Sequence, residues 1–191
     1  MCSSLPPYRV DRSRRYIKRS DRVNCIVSYY LLSRLLDRCH SMLLPSEPLV
    51  GRYGKPLSGK DDIKFSISHC EGAVCCGVTD VGDIGVDIER KIGRSSDLTG
   101  DVLSPVELEQ YYRERDPDGF FTEIWTRKEA YLKMLGTGIS DEMSAVDTND
   151  LHHEGRRVIL NTSWTGDLCV TAASVISVRP EMMSARDLLR F

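Results

Sequence analysis

Apolar residues recur at intervals of three and four early in the chain, at Val23, Ile26, Val27, Tyr30, Leu31 and Leu35. That spacing predicts an amphipathic helix. Ser20 stands where an N-cap belongs, so the helix is expected from there to about His40. Ahead of it, Leu5-Pro6-Pro7 blocks regular structure, and Tyr8 to Ile17 reads as a short basic helix. Behind it, Pro45, Pro48, Gly51, Gly54, Pro56 and Gly59 mark a long irregular connection. The period then shortens to two. Lys64–His69, Val74–Thr79 and Ile84–Glu89 read as three strands, the last following a Gly82-Asp83 turn.

The second half repeats the order of helix before strand. Gly93 to Gly100 reads as loop. Ser104-Pro105-Val106-Glu107 is a helix start with Ser as N-cap, Pro at the first helical position and Glu at the capping-box position. Asp116-Pro117 opens a further helix to about Leu135, ended by Gly136 and Gly138. Arg157–Asn161 and Leu168–Val178 read as strands, and His152-His153-Glu154-Gly155 as a solvated turn. The expected fold class is α+β. Each half would hold a long helix packed on a small, mostly antiparallel sheet, the two forming a pseudo-twofold pair of subdomains, 1–95 and 96–191.

Composition narrows the function classes. With 191 residues the chain can bury a real core, and 41% hydrophobic with 28% charged residues is ordinary for a globular protein. No run approaches the roughly 18 apolar residues of a membrane helix, and the start of the chain reads as lacking a signal peptide. Seven cysteines with no C-x-x-C pair, and four histidines out of ligand spacing with them, read as buried thiols of a cytoplasmic protein rather than a disulfide framework or zinc site. The net charge of −2 conceals an asymmetry: residues 9–22 hold seven basic groups against Asp11 and Asp21, a local +5 on a body of −7. This points to a localised anion site, not a nucleic-acid surface, which only that one segment would support.

Three strings carry candidate chemistry. In Ile84-Gly85-Val86-Asp87-Ile88-Glu89, strand alternation turns the three apolar side chains one way and Gly85, Asp87 and Glu89 the other. Two carboxylates on one strand face are close enough to share a cation, and an all-oxygen set favours a hard one such as Mg²⁺; the alternative is a solvated face with two ordinary acids. In Trp125-Thr126-Arg127-Lys128-Glu129-Ala130-Tyr131-Leu132-Lys133, the i, i+4, i+8 stripe is Trp125, Glu129 and Lys133. The alternative there is a solvated Glu–Lys pair with Trp125 in the core. In Phe65-Ser66-Ile67-Ser68-His69, Ser68 and His69 fall on opposite strand faces, which argues against a Ser-His triad and leaves His69 to offer its imidazole to a phosphate or to be an ordinary histidine.

The order Gly54-Lys55-Pro56, then Phe65 to His69, then Ile84 to Glu89, then Trp-x-x-Lys-Glu-Ala-x-x-Lys resembles the 4′-phosphopantetheinyl transferases of the surfactin-synthetase-activating type, from about Arg9 to the C-terminus. The resemblance implies transfer of the phosphopantetheine arm of coenzyme A to a serine of an apo acyl or peptidyl carrier protein, with release of 3′,5′-ADP. It places Asp87, Glu89 and Glu129 around Mg²⁺, with Mn²⁺ as a substitute. Glu129, directly or through a water, is the candidate base, and Asp87 and Lys133 complete the catalytic set, Lys133 neutralising the pyrophosphate. It assigns Arg9, Arg12, Lys55, Ser68, His69, Lys128 and Lys133 to coenzyme A, although Lys128 stands about 100° round the helix from Glu129. Arg14 and Arg15 also match the family's basic segment. Family members carry a first strand ahead of that segment, whereas here Pro6-Pro7 precedes it directly. Residues 90–121 would receive an acidic carrier, steered by Arg90, Lys91, Arg94, Arg113 or Arg115. The implied protein is a cytoplasmic monomer with its site between the two halves. The competing reading is a non-catalytic coenzyme A- or carrier-binding protein of the same fold.

Overall fold

In the computed structural model, which describes residues 5–45, 49, 57–60, 62–93, 95–138, 143–178 and 181–188, two long helices each lie on a small antiparallel sheet. Helix α1 (Pro7–Arg14) starts with proline at its first position, where no N–H is needed, and leads into α2 (Arg19–His40). Strands β1 (Lys64–Cys70) and β2 (Ala73–Thr79) form a two-stranded sheet under α2. Strand β3 (Ile84–Arg90) does not continue that sheet. It pairs antiparallel with β7 (Leu168–Ser174), which pairs in turn with β6 (Ile159–Thr165), in the order β3-β7-β6. Helix α5 (Pro117–Leu135) packs on this second sheet. A strand from residues 1–95 is thus hydrogen-bonded into a sheet otherwise built from residues 159–174.

Between β3 and α5 in the chain run a 3-10 turn (Ser95–Asp97), α3 (Thr99–Val102) and α4 (Pro105–Tyr111). A second 3-10 turn (Met143–Ala145) and a two-residue hairpin, β4 (His152–His153) with β5 (Arg156–Arg157), precede β6. The expected solvated turn is the tip of that hairpin: Glu154 and Gly155 both have positive φ, and His153 Nε2 lies 3.0 Å from Asp83 Oδ2. A short α6 (Ala185–Leu188) follows β7.

Most predicted elements stand where the pattern places them, with three instructive departures. Helix α2 begins at Arg19, and Ser20 makes no cap bond; its hydroxyl donates to Asp21 instead. The fully buried stripe of α2 is Asn24, Cys25, Ser28, Tyr29, Leu32 and Leu36, one residue round from the expected apolar set, and Val23 is exposed. Two polar residues fit that stripe because their partners are internal: Asn24 Nδ2 donates to Cys70 O (2.9 Å) and Ser28 Oγ to Cys25 O (3.4 Å). Gly93–Gly100, expected as loop, holds the first 3-10 turn and the start of α3. The capping box at Ser104 forms as read, with Glu107 N donating to Ser104 Oγ (3.3 Å) and Ser104 N to Glu107 Oε2 (2.8 Å). Helix α5 ends at Gly136 in the left-handed region (φ 71°), where a glycine costs least.

The core follows the two layers. Leu32, Leu36, Ile63 and Phe65 join α2 to the first sheet. Ala130, Met134, Val158 and Ala173 join α5 to the second. Phe121, Ile124, Leu132, Tyr111 and Val102 fill the far side of α5, beneath α3 and α4.

Candidate active site

Strand β3 carries the site, and both of its faces are covered. Ile84 and Val86 face apolar partners as the alternation predicts, and Ile88 is buried with them. The opposite face is not solvated: Gly85 is buried and Asp87 is only 1% exposed, because α5 lies on it. Gly85 permits that approach. A Cβ there would stand 1.8 Å from Ala130 O and 2.4 Å from Met134 N, both main-chain atoms of α5. The bare glycine lets the helix settle with Glu129 and Lys133 beside Asp87.

The first sheet reaches the same place through two serines. Ser66 Oγ accepts from Val86 N (3.0 Å), and Ser68 Oγ donates to Asp87 Oδ1 (2.7 Å). Lys133 Nζ donates to that same carboxylate oxygen (2.5 Å) and to Ser68 Oγ (2.8 Å), and lies 4.0 Å from Glu129 Oε2. Asp87, Ser68, Lys133 and Glu129 are thereby gathered from β3, β1 and α5. Glu89 stands next along β3, half-buried.

Charge is concentrated here. Burial pushes the Glu89 carboxyl up to about 7, with Asp87 and Glu129 adding to the shift and Lys133 opposing it. Burial also raises Glu129, against the pull of Lys133. His69, exposed near the end of β1, is held below its ordinary value by burial and by the nearby Lys133 ammonium.

Two buried oxygens of this cluster lack any hydrogen-bond partner, Asp87 Oδ2 and Glu129 Oε1. A buried carboxylate oxygen left unpaired is costly, so the pair of them is suited to binding a cation. The donors are all carboxylate oxygens, which suits a hard divalent cation. Among the described residues no three His, Cys, Asp or Glu side chains are drawn close enough to hold a metal as they stand. The Lys133 ammonium supplies the positive charge between Asp87 and Glu129 instead.

The remaining predicted residues divide. Arg12 lines a cavity of about 520 Å³ together with Arg15, Tyr8, Tyr16, Tyr29 and Phe65. Arg9 is buried: its guanidinium lies 3.6 Å over the Tyr29 ring and its Nε donates to Cys25 O (3.3 Å). Lys55 and Arg94 lie outside the described residues. Lys128, expected at the cofactor, is instead sealed in the core, 2.6 Å from Glu107 Oε2. The helical offset already turned it from Glu129; the packing of α3 and α4 over that side of α5 completes its exclusion. Of the residues expected to steer a carrier, Arg90 pairs with Asp167, Lys91 with Asp116 and Arg113 with Glu109, while Arg115 is exposed. Residues absent from the sequence reading of the site are Gly85 as the helix seat, Ser66 as the inter-sheet bond and Glu107 as a counterion. Glu107 was legible as a cap alone, because no spacing reveals a partner 21 residues away on another helix.

A family model described as the 4′-phosphopantetheinyl transferase superfamily matches residues 83–174, which span β3 through β7. A 4′-phosphopantetheinyl transferase of Bacillus subtilis is 27% identical over 146 residues, 73% of this chain and 64% of its own. The transferase Sfp of Bacillus subtilis strain 168 is 25% identical over 158 residues, 81% of this chain and 70% of its own. The transferase AcpT of Salmonella typhi is 33% identical over 133 residues, 66% of this chain and 65% of its own. The chain spans less than two thirds of the length of most curated relatives it matches. The matched segment contains Asp87, Glu89, Glu129 and Lys133, and over it the chain is similar to the 4′-phosphopantetheinyl transferase superfamily, with relatives of the Sfp type.

Proposed function

We propose that this protein transfers the 4′-phosphopantetheine arm of coenzyme A to a serine hydroxyl of an apo carrier protein and releases 3′,5′-ADP. One observation carries the reading: Asp87 and Glu129, from two different elements, each present a buried unpartnered oxygen at the same place, beside a half-exposed lysine. Asp87, Glu89 and Glu129 would hold Mg²⁺, or Mn²⁺ in its place. Held there, a divalent cation would supply charge stabilisation for the pyrophosphate of coenzyme A.

The chain's own groups do the rest. Ser68 holds Asp87 in one orientation through the 2.7 Å bond to Oδ1, leaving Oδ2 free. Lys133, partly exposed at the rim, offers its ammonium to the pyrophosphate. Glu129, directly or through a water, would take the proton of the attacking serine hydroxyl. His69, exposed near the end of β1, would add a phosphate contact. Arg12 and Arg15, with Tyr16 and Tyr29 in the same cavity, hold the nucleotide end; a planar guanidinium can grip a phosphate with two parallel bonds. Lys55 would reach the same end.

Residues 1–95 would then supply the nucleotide grip with Asp87 and Glu89, and residues 96–191 Glu129 and Lys133, so a single chain is the acting unit. Among the described residues no helix is long and apolar enough to cross a membrane, and six cysteines are free, which fits work in a reducing cytoplasm. The test is release of 3′,5′-ADP from coenzyme A, followed by chromatography. Release that requires both an apo carrier and Mg²⁺ supports the reading; coenzyme A that binds and is never cleaved in the presence of apo carriers contradicts it.

A further inference from the structure

Lys128 precedes Glu129 on α5 and is turned into the opposite side of the helix. Its side chain is fully buried, and its ammonium has three close acceptors: Glu107 Oε2 (2.6 Å), Val102 O (2.6 Å) and Met143 O (3.0 Å). Three N–H donors meet three acceptors, so none is left for a phosphate. Glu107 is equally engaged. Its Oε2 also accepts from Ser104 N (2.8 Å), and its Oε1 from Thr148 N (2.9 Å) and Thr148 Oγ1 (2.8 Å). The pair therefore ties the middle of α5 to the end of α3, the start of α4, the 3-10 turn at Met143 and the loop at Thr148.

A buried ion pair is a poor way to gain stability. Well-packed apolar residues of the same volume do as well or better, and the best-attested use of such a pair is to select one arrangement. Helix α5 has an arrangement to select. Its other side rests on Gly85, a seat without a side chain that sets how close the helix comes. That side is held to the sheet by neutral bonds of Thr126 to Cys169 and Thr171 and by Lys133 itself, so among the described residues the one fully buried ionic tie of α5 is on the Lys128 side. The head of a helical side chain stands about 6 Å from the axis, so a rotation of about 20° carries it about 2 Å. Such a slip would take Glu129 and Lys133 out of register with Asp87.

We propose that the Lys128–Glu107 ion pair is a positioning device that fixes the rotation of α5 and so holds Glu129 and Lys133 over Asp87. It acts through Glu129 and touches no substrate. The proposal rests on the transferase reading for its kinetic consequence, but its structural consequence, cation affinity, can be read without any carrier.

The test compares the full chain with Lys128→Met, Glu107→Gln and the double variant Lys128→Met/Glu107→Leu, which replaces the pair by apolar residues. Thermal midpoint, Mg²⁺ affinity by calorimetry, and kcat and KM for coenzyme A are measured for each. The expected result is a double variant that regains most of the thermal midpoint lost by the single variants yet stays impaired. Its kcat falls about tenfold or more, its Mg²⁺ affinity about fivefold, and its KM for coenzyme A stays within about twofold. A double variant that regains kcat and Mg²⁺ affinity together with stability overturns the proposal, since the pair is then only structural. A raised KM with unchanged kcat in Lys128→Met overturns it too, by making Lys128 a coenzyme A contact. If the double variant does not fold, Glu107→Gln decides, because it keeps the shape and removes the charge: unchanged Mg²⁺ affinity and kcat in it count against the proposal. If the wild-type chain transfers nothing, the transferase reading has failed, and Mg²⁺ affinity across the same variants still decides the positioning role.

Discussion

The Lys133 ammonium stands 2.5 Å from Asp87 Oδ1 and shares that oxygen with the Ser68 hydroxyl, while Asp87 Oδ2 has no partner. One half of the carboxylate is thus bonded inside the protein and the other half is held ready. The same division runs through Glu129, whose Oε2 lies near Lys133 and whose Oε1 is unpartnered. The site is electrostatically complete only while Lys133 stays, or while a cation replaces it.

Removing the ammonium should therefore cost stability that Mg²⁺ returns. Lys133→Met leaves Asp87 buried without its charged donor, at a cost of about 2 kcal/mol, a charge-assisted hydrogen bond at a partly exposed position. Thermal denaturation of this variant with and without Mg²⁺ checks it. The expected outcome is a lowered midpoint that rises on adding Mg²⁺ by more than the wild-type midpoint does.

Asp87→Ala should abolish transfer and leave the fold standing. Lys133, partly exposed, can turn to solvent once its partner is gone. Loss of a cation ligand at the reacting phosphate is expected to lower kcat by about a thousandfold or more. Single-turnover kinetics beside a circular dichroism spectrum separate the two effects, and substantial residual transfer would remove Asp87 from the cation site.

Gly85→Ala tests the seat of α5 on β3. The added methyl meets main-chain atoms at 1.8 and 2.4 Å, which no side-chain rotation relieves. Overpacking of this kind costs about 3 kcal/mol or more. Denaturant unfolding should show a lowered midpoint, and Mg²⁺ affinity should fall with it, because the shift displaces Glu129 and Lys133.

Glu89 makes stability depend on pH. Its folded value of about 7 lies above its ordinary 4.5, so the folded protein holds this proton more tightly than the unfolded chain does. The contribution is fully present below pH 4.5 and is lost as pH rises through about 7. Urea unfolding at points across that window should show stability falling with pH in the absence of Mg²⁺. Glu89→Gln should flatten the dependence, and Mg²⁺ should offset it by favouring the ionised carboxylate.

Local rules made much of this legible from the residues. The Ser104 capping box, the Asp116 N-cap of α5, its Gly136 stop and the period-two strands are all set by neighbours within a few positions. Asp87 and Glu89 on one strand face, and Glu129 with Lys133 on one helix stripe, were legible for the same reason. What escaped was long-range. Nothing in the alternation of β3 says that it pairs with β7, 84 residues on, rather than extending the β1–β2 hairpin beside it. Nothing in the order Asp87, Ser68, Lys133 says that their heads meet. The Lys128–Glu107 contact was hidden because each residue already had a local reading, one in a motif and one in a cap. Arg9 was read from its charge and its place in the basic segment, and its stacking on Tyr29 depends on the angle at which α1 enters α2.

The central claim is that Asp87 and Glu129 form a cation-dependent site for phosphopantetheine transfer. Intact-mass analysis of an apo carrier protein, incubated with this protein and coenzyme A, with Mg²⁺ or with a chelator, tests it most directly. The predicted result is a carrier heavier by one phosphopantetheine on a single serine with Mg²⁺, and an unchanged carrier with chelator or with Asp87→Ala. A carrier of unchanged mass with Mg²⁺, across acyl and peptidyl carriers alike, or one modified equally well by Asp87→Ala, would contradict it.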